Sequence, residues 1–521
     1  MNLSIIVTVL LGLSGAVLLT EQLHMLQQNS YFNSRYLGWL RTSFGALAVW
    51  RIIFAAAVAV LTVCDLFYIA IAVAAVLLAV SVLTQRSQQK KAIKPLVFTA
   101  RVKRMYVTAS VIFAVMCICS ALISGVWPVI VQAVLCAVTP AVCIAVNIIN
   151  APIEAAIRQH YINDAVRILR SYGDRLTILG VTGSYGKTST KYILSRILSE
   201  KYNVAITPGS FNTPMGVVRT IREHLRSSDE LFIVEMGAKN VGDIDEICKI
   251  VHPTMGVISS VGPQHLSTFG SVENVLKTKF ELADCVHAAG GDMFLCGDNQ
   301  YICSRAADGD TLYGSGENCS YRAENVACSR YGTAFDAVLP GGRRLSLQTK
   351  LLGRHSVCNI MGAVAVADRL GVSHRDIVYA VSQLQAVEHR LQLKPFMNGA
   401  SLIDDAYNSN PEGSLEAVRT MGTFDGCKKI IVTPGMVELG EKEYECNRAL
   451  GAMAAGVCDE LIFVGEQRSV PLVDGAKEAG YDGEHIHVVP MFKDALDLLR
   501  SMTDADTVVL FENDLPDNYA K

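Results

Sequence analysis

The chain is poor in charged residues, and acidic residues are scarcest in its first third. Only 18% of the 521 residues are Asp, Glu, Lys or Arg, against roughly 25% in soluble domains. Residues 1–150 hold ten basic and two acidic residues, whereas the remaining 371 hold 36 basic and 47 acidic. This asymmetry excludes a purely soluble enzyme and a disordered chain. It also excludes a basic nucleic-acid-binding protein, which needs Lys and Arg clustered on its folded part.

No CxxC pair occurs among the 15 cysteines. Five of them lie in apolar runs: Cys64, Cys117, Cys119, Cys136 and Cys143. Such a distribution indicates buried or reduced thiols of a cytosol-facing protein rather than a disulfide framework, and it implies no metal cluster.

Five apolar runs in residues 1–150 are each near the roughly 20 residues that span a bilayer. They are 4–19, 46–64, 66–83, 106–127 and 128–149. Residues 85–104 hold seven of the ten basic residues, and the positive-inside rule places them in the cytoplasm. The amino terminus then lies outside and the chain after 149 returns inside. The sequence therefore predicts a multi-pass protein of the cell membrane whose domains after residue 150 are cytoplasmic.

Two roles are possible for this region: it is a plain membrane anchor, or it takes part in substrate handling. Basic and aromatic residues lie at its predicted inner surface and are compatible with both roles. They are Tyr31, Arg35, Tyr36, Trp39 and Arg41. They suit an anionic lipid headgroup, and they equally suit interfacial anchoring.

A phosphate-binding loop opens the rest of the chain. A buried strand at 176–181 leads into Gly-Val-Thr-Gly-Ser-Tyr-Gly-Lys-Thr-Ser at 180–189, and a helical pattern follows at 190–198. Backbone N–H groups of such a loop face phosphates, Lys187 supplies positive charge, and the Thr188 hydroxyl suits Mg²⁺. The predicted nucleotide contacts are Gly183, Ser184, Tyr185, Gly186, Lys187, Thr188 and Ser189.

The spacing GxxGxxGKT resembles that of the Mur ligase family, the ATP-dependent amide ligases of peptidoglycan assembly. Further segments resemble the family's motifs over roughly residues 176–465: FNTPMG at 211–216, LFIVEMGA at 231–238, GPQHL at 262–266, LKTKFE at 276–281, GRH at 353–355 with Asn359, and DDAYNSNP at 404–411. The last pattern and GMVELG at 435–440 are most similar to the branch that adds D-alanyl-D-alanine.

The expected architecture is a multi-pass helical membrane domain at 1–150, a connector at 151–175 and two α/β domains. The resemblance implies a Mur-type P-loop ATPase domain at 176–384 and a Rossmann-like domain at 385–521. Alternating strands and helices in the last domain independently predict a doubly wound sheet. Its predicted strands are 401–405, 429–433, 460–465, 485–489 and 507–511.

Glu235 ends a buried strand, where an unpaired carboxylate is costly, so Mg²⁺ coordination is favoured over a structural role. His265 at the end of a second strand is either a metal ligand or an ordinary loop histidine. Lys279 would usually be a solvated helix residue, and only the resemblance implies its carbamylation, which would hold a second Mg²⁺. The implied metal ligands are Thr188, Glu235, His265 and Lys279.

The remaining implied roles concern catalysis, the nucleoside and the substrates. The catalytic set is Lys187, Lys279, His265 and Arg390. The nucleoside side comprises Asn299, Arg354, His355, Asn359, Asp404 and Asp405, with the ribose contact divided between the two aspartates unless they merely end a strand. The substrate side comprises Asn212, Thr213, Asn408 and Asn410.

Two departures from the family pattern concern substrates. Only about 25 residues separate 149 from the strand at 176, so the family's soluble UDP-sugar-binding domain is replaced by membrane spans. The carboxyl-terminal end reads Glu512-Asn513-Asp514 where typical members have a Lys-Gly-Ser-type loop. The expected partners are a cell-wall precursor peptide, UDP-linked or lipid-linked, an amino acid or dipeptide such as D-Ala-D-Ala, and membrane lipids. The oligomeric state stays open.

Three other functions are alternatives to this one. A different membrane-anchored amide ligase, such as a poly-γ-glutamate synthetase, fits the same motifs. A transporter driven by a P-loop ATPase is disfavoured, because no LSGGQ signature follows the loop and few ionisable groups lie in the spans. A catalytically dead scaffold is disfavoured by the intact Lys187, Thr188, Glu235 and Lys279.

Overall fold

The computed structural model describes residues 3–513, apart from 48, 92–94, 124, 210, 264–265, 330, 387, 407–410 and 438. Its contacts divide the chain into two compact units, Met1–Tyr161 and Ile162–Lys521.

The first unit is helical. Its helices are α1 (Leu3–Gln28), α2 (Asn33–Leu47), α3 (Val49–Val63), α4 (Phe67–Lys91), α5 (Ala100–Ile123), α6 (Trp127–Ala137) and α7 (Thr139–Tyr172), of which the last continues into the second unit. Among the described residues, α1, α4, α5 and α7 are long and apolar enough to cross a membrane by length and composition. The predicted amphipathic connector is thus the continuation of α7.

Two of the five predicted spans differ from the structure. The second corresponds to α3, which has 15 residues and is short for a bilayer. The fifth is not one helix, because α6 ends at Ala137 and α7 begins at Thr139. Pro140 has no N–H to donate to the Cys136 carbonyl, which instead accepts a 2.6 Å hydrogen bond from the Thr139 hydroxyl.

Buried polar contacts join the helices at the end where α1 finishes and α5 begins. Arg51 and Glu21 form an ion pair at 2.5 Å with 9% and 8% of their side chains exposed. Further contacts at this end are Tyr36 to Gln22 at 2.6 Å, Asn147 to the Tyr31 carbonyl at 3.0 Å and Asn150 to Thr108 at 2.9 Å. Apolar clusters fill the rest of the unit.

The second unit begins with a large sheet flanked by helices. Its strands are β1 (Thr177–Thr182), β2 (Val204–Ile206), β3 (Leu231–Glu235), β4 (Met255–Ile258), β5 (Asp292–Cys296), β6 (Thr311–Gly314), β7 (Tyr321–Ser329), β8 (Gly332–Val338) and β9 (Arg344–Thr349). The helices are α8 (Lys187–Leu198), α9 (Pro214–Glu223), α10 (Asp243–Val251), α11 (Leu266–Phe269), α12 (Val272–Ala288), α13 (Gln300–Cys303), α14 (Arg354–Arg369) and α15 (His374–Ser382).

The order of this sheet is β2-β3-β1-β4-β5-β6-β7-β8-β9. Strands from β2 to β7 pair in parallel, and β7, β8 and β9 form an antiparallel meander. The carboxyl ends of β3, β1 and β4 are therefore neighbours, which is where ligands bind in open α/β sheets.

A second sheet has the order β10-β11-β15-β12-β13-β14. Its strands are β10 (Gln392–Pro395), β11 (Ser401–Asp405), β12 (Lys428–Thr433), β13 (Glu460–Val464), β14 (Ile486–Val489) and β15 (Thr507–Glu512). The helices between them are α16 (Pro411–Gly422), α17 (Glu443–Ala455), α18 (Val470–Glu478) and α19 (Phe492–Met502). Apart from the antiparallel edge strand β10 the pairs are parallel, so the predicted doubly wound sheet is confirmed.

Candidate functional site

The phosphate loop lies between β1 and α8 and depends on two glycines. Gly183 has φ +154° and Gly186 has φ +78°, values that side-chain-bearing residues rarely adopt. A Cβ atom on Gly183 would stand 2.2 Å from the Ser259 hydroxyl oxygen. The loop thus has room only for bare backbone at this point, as a phosphate cradle requires.

The segment after β4 supports the loop. Ser184 N–H donates to the Ser260 carbonyl at 2.8 Å, and Tyr185 N–H donates to the Ser260 hydroxyl at 2.7 Å. The Ser184 hydroxyl accepts from Gly262 N–H at 3.1 Å. These two amides are therefore engaged within the protein, and the N–H groups of the first turn of α8 remain for a phosphate. The sequence did not single out Ser260, because nothing in its surroundings marks it.

Lys187 begins α8 and folds back over the loop. Its ammonium donates to the carbonyls of Gly183 at 2.6 Å and Ser184 at 3.1 Å. Burial lowers its pKa to about 8, the nearby Glu235 acts in the opposite direction, and Arg390 adds to the lowering. Arg390, some 200 residues further along the chain, is thus close enough to be felt at the loop.

Glu235 ends β3 beside the loop and is buried. Its Oε1 accepts hydrogen bonds from the Thr188 hydroxyl at 3.1 Å and the Asn212 amide at 3.0 Å. Its Oε2 accepts from Lys191 at 2.9 Å. The structure therefore places Thr188 beside Glu235, both of which the sequence assigned to Mg²⁺, and adds Asn212, which the sequence assigned to the substrate. It adds Lys191, whose position four residues after Lys187 on the same helix was the available signal.

Lys279 lies on α12 with 1% of its surface exposed. Burial and the neighbouring charge of Lys187 lower its pKa to about 7, against weaker opposing effects of Glu281 and Asp243. The solvated alternative for Lys279 is therefore wrong. An amine that is neutral near pH 7 is a nucleophile, which suits carbamylation.

His355, at the start of α14, and Asp405, at the end of β11, are close enough for their charges to interact. His355 keeps accessible surface but is enclosed by protein, and this enclosure lowers its pKa against the opposing charges of Glu416 and Asp405. Burial raises the pKa of Asp405, whose carboxylate accepts from Leu391 N–H at 3.0 Å. Asp405 thus lies within electrostatic range of a residue that the sequence assigned to the nucleoside.

Asp404 points elsewhere. Its carboxylate accepts from Lys394 at 2.7 Å and from His389 Nδ1 at 2.9 Å. Both partners belong to the same sheet region, so the structure separates the two aspartates that the sequence left equivalent.

The other predicted residues lie around the loop. The Asn359 amide adjoins Gly186, where a Cβ atom would stand 3.1 Å from Asn359 Oδ1. Asn299 caps α13 and donates to the Val261 carbonyl at 2.8 Å, and Thr213 caps α9. Arg354 is exposed at the first residue of α14, and Ser189 lies in the first turn of α8.

Three predicted site residues, His265, Asn408 and Asn410, lie outside the described residues, as do Tyr407 and Glu438. Within the described part of the chain, no group of three His, Cys, Asp or Glu side chains is arranged to hold a metal ion. Thr188 and Glu235 nevertheless fit Mg²⁺, which takes one or two protein oxygens together with nucleotide phosphates and water.

Two family models match the second unit. Residues 181–367 match the Mur ligase middle domain, and residues 389–512 match the Mur ligase glutamate ligase domain. A UDP-N-acetylmuramoyl-tripeptide–D-alanyl-D-alanine ligase of Mycobacterium leprae is 30% identical over an aligned length of 370, and the match covers 65% of this chain and 71% of that protein. The chain belongs to the Mur ligase family.

Other Mur ligases are also similar to this chain in sequence or structure. The Bacillus subtilis UDP-N-acetylmuramoyl-tripeptide–D-alanyl-D-alanine ligase is 28% identical over 345 residues, 66% of this chain and 74% of the relative. The crystal structure of MurF from Acinetobacter baumannii superposes with a TM-score of 0.60 at 26% identity, covering 68% of this chain and 77% of that one. The predicted family resemblance is thereby confirmed, and the chain is an ATP-dependent acid–amino-acid ligase. Residues 1–180 precede both matched regions.

Proposed function

We propose that this Mur ligase joins the carboxylate of a cell-wall precursor peptide to D-alanyl-D-alanine through an acyl phosphate. The observation that carries the proposal is the meeting of the phosphate loop, Glu235 and Lys279 at one edge of the first sheet. The relatives named for D-alanyl-D-alanine ligation support the choice of amine.

The chemistry has two balanced steps. A carboxylate oxygen of the acceptor attacks the γ-phosphorus of ATP, and ADP leaves. The neutral amine of the dipeptide then attacks the acyl carbon, phosphate leaves with the bridging oxygen, and the new amide releases one proton. Most of the catalysis is positioning and charge neutralisation.

Each side chain has a stated part in these steps. The first-turn N–H groups of α8 and Lys187 hold the β- and γ-phosphates, and Lys187 exchanges its carbonyl partners for phosphate oxygens. Thr188 and Glu235 would hold Mg²⁺, which when bound would supply positive charge to neutralise developing phosphate charge. Arg390, whose charge acts on Lys187, meets the transferring phosphoryl group.

The Lys279 side chain is proposed to be carbamylated. Its neutral amine adds to CO₂, forming an N–C bond and releasing one proton, and the product replaces a cation with two oxygen donors. A second Mg²⁺ would be held by this carbamate together with His265, whose metal role remains a proposal.

The remaining assignments concern substrates. The nucleoside is assigned to Asn359, His355, Asn299, Arg354 and one of the two aspartates. Asp405 is the better ribose contact, because its charge interacts with His355 whereas Asp404 is engaged by Lys394 and His389. The acceptor and the dipeptide are assigned to these asparagine and threonine side chains: Asn212, Thr213, Asn408 and Asn410.

We further propose that the helical unit spans the membrane, with the ligase domains cytoplasmic, and that the acceptor is lipid-linked. Four sufficiently long apolar helices support the first statement. The same proposal divides the chain into a membrane domain at 1–150, a connector at 151–175 and two ligase domains at 176–384 and 385–521.

The test is mass spectrometry of products formed by the full-length protein with ATP and Mg²⁺. Undecaprenyl-linked and UDP-linked tripeptides are compared as acceptors, with D-Ala-D-Ala, D-Ala and L-Glu as amines. We expect a mass increase of one dipeptide on the lipid-linked acceptor. Equal activity on both acceptors would refute lipid specificity, and incorporation of L-Glu alone would support a poly-γ-glutamate-type ligase. ATP hydrolysis without any acceptor would contradict the ligase reaction.

A further inference from the structure

Lys191 is a fully buried cation that connects three parts of the site. None of its side-chain surface is exposed. Its ammonium donates to Glu235 Oε2 at 2.9 Å and to the Gly209 carbonyl at 2.7 Å. It therefore ties α8, the end of β3 and the loop before α9 to one another.

The two oxygens of Glu235 consequently differ. Oε1 is contacted by the Thr188 hydroxyl and the Asn212 amide. A hydroxyl can rotate and present a lone pair to a cation, so Thr188 can share a metal ion with Oε1. An ammonium has three donors and no lone pair, so Lys191 holds Oε2 in a hydrogen bond and cannot share a metal ion with it as Thr188 can with Oε1.

We infer that Lys191 is a positioning residue that restricts Glu235 to coordination through one oxygen and thereby selects Mg²⁺ against Ca²⁺. The inference rests on the proposed role of Glu235 as a metal ligand. Mg²⁺ demands near-octahedral geometry and is held by few protein oxygens, whereas Ca²⁺ takes six to eight oxygens and accepts bidentate carboxylates. The charge of Lys191 weakens binding of both divalent ions, so selectivity is read from the ratio of their affinities.

The experiment is calorimetric titration of Mg²⁺ and Ca²⁺ into the full-length protein saturated with a non-hydrolysable ATP analogue. Lys191→Met keeps the approximate side-chain length and frees Oε2, while Thr188 and Asn212 still serve Oε1. We expect the ratio of the Ca²⁺ to the Mg²⁺ dissociation constant to fall at least tenfold. Lys249→Met is the matched control, because that side chain is 73% exposed on α10, and its ratio should equal that of the wild type.

Two results would overturn the inference. If Lys191→Met strengthens the binding of both ions equally, Lys191 acts through its charge alone and does not select between them. Equal affinity of the wild-type protein for Ca²⁺ and Mg²⁺ would also contradict the inference. This measurement needs no variant, so it decides the question even if Lys191→Met does not fold. Glu235→Gln distinguishes failure of the inference from failure of the proposed function. If Glu235→Gln leaves Mg²⁺ affinity unchanged, Glu235 is not a metal ligand. If Glu235→Gln weakens Mg²⁺ binding but Lys191→Met leaves the ratio of affinities unchanged, only the selective role of Lys191 is refuted.

Discussion

At the residue scale, the site is built from charges that the surrounding protein has brought close together. Lys187 and Lys191 approach Glu235 at the end of β3, and Lys279 lies close enough to Lys187 for the two positive charges to interact. Such crowding of cations is costly unless an anion joins them. The polyphosphate of a nucleotide supplies that anion, so substrate binding relieves a repulsion that folding has created.

Lys279→Ala is expected to lower kcat by at least 100-fold. Carbamylation needs the neutral amine, and with a pKa of about 7 that form prevails above pH 7 and is lost below it. Wild-type activity should therefore fall as pH drops through 7 in CO₂-depleted buffer, and added bicarbonate should restore part of it. Phosphate release measured across pH 6 to 8 at two bicarbonate concentrations gives the answer.

The matched control for this experiment is Lys277→Ala. Lys277 is two residues away on the same helix and exposed, so its loss should leave activity and bicarbonate dependence unchanged. Activity in Lys279→Ala that equals the wild type would contradict the carbamate.

Residue identity could be predicted from sequence where a motif marks it, as for Gly183, Lys187, Thr188 and Glu235. Lys191 could not, because a lysine on a helix is ordinarily solvated and only packing shows that no part of it is exposed. Sequence could not separate Asp404 from Asp405. Adjacent strand residues point to opposite faces, and only the tertiary structure shows that one face meets Lys394 and His389 and the other meets His355.

At the element scale, local pattern was sufficient where an element is long and strongly apolar. All five predicted strands of the second sheet occur with ends within one residue of the prediction. The sequence missed β10, whose four residues Gln-Leu-Lys-Pro carry a weak strand signal. It also merged α6 with α7, because a continuous apolar run does not reveal a break in the helix.

The buried ion pair between Glu21 of α1 and Arg51 of α3 provides a test of the packing of the helical unit. Arg51→Met or Glu21→Gln alone leaves a buried charge without its partner, and each is expected to destabilise the unit by about 3–5 kcal/mol. The double replacement should cost less than either single change, since no charge then remains buried. Thermal unfolding of the full-length protein in detergent measures this cycle, and purely additive losses would show that the pair does not interact.

At the scale of the whole molecule, charge and hydropathy divide the chain more sharply than any motif. The basic, apolar first third and the acidic remainder correspond to a helical unit and to two α/β domains of a Mur ligase. Composition could predict this division, but it carries no information about which acceptor the enzyme takes.

Membrane topology gives the prediction at this scale. The protein should stay in the membrane fraction after an alkaline carbonate wash, because four helices are long and apolar enough to span. A reporter that fluoresces only in the cytoplasm should be bright when fused after Lys521 and dark when fused before Met1. Brightness at both ends would contradict the proposed orientation, and release by carbonate would contradict insertion.

The polar contacts of the helical unit also set an order of assembly. Asn147 and Asn150, both on α7, supply partners for Tyr31 and for Thr108, more than 40 positions earlier. During synthesis these earlier groups gain their α7 partners only when the last helix of the unit emerges. A chain that ends before α7 therefore lacks both contacts. The polar network of the helical unit is in this way completed by the helix that leads directly into the ligase domains.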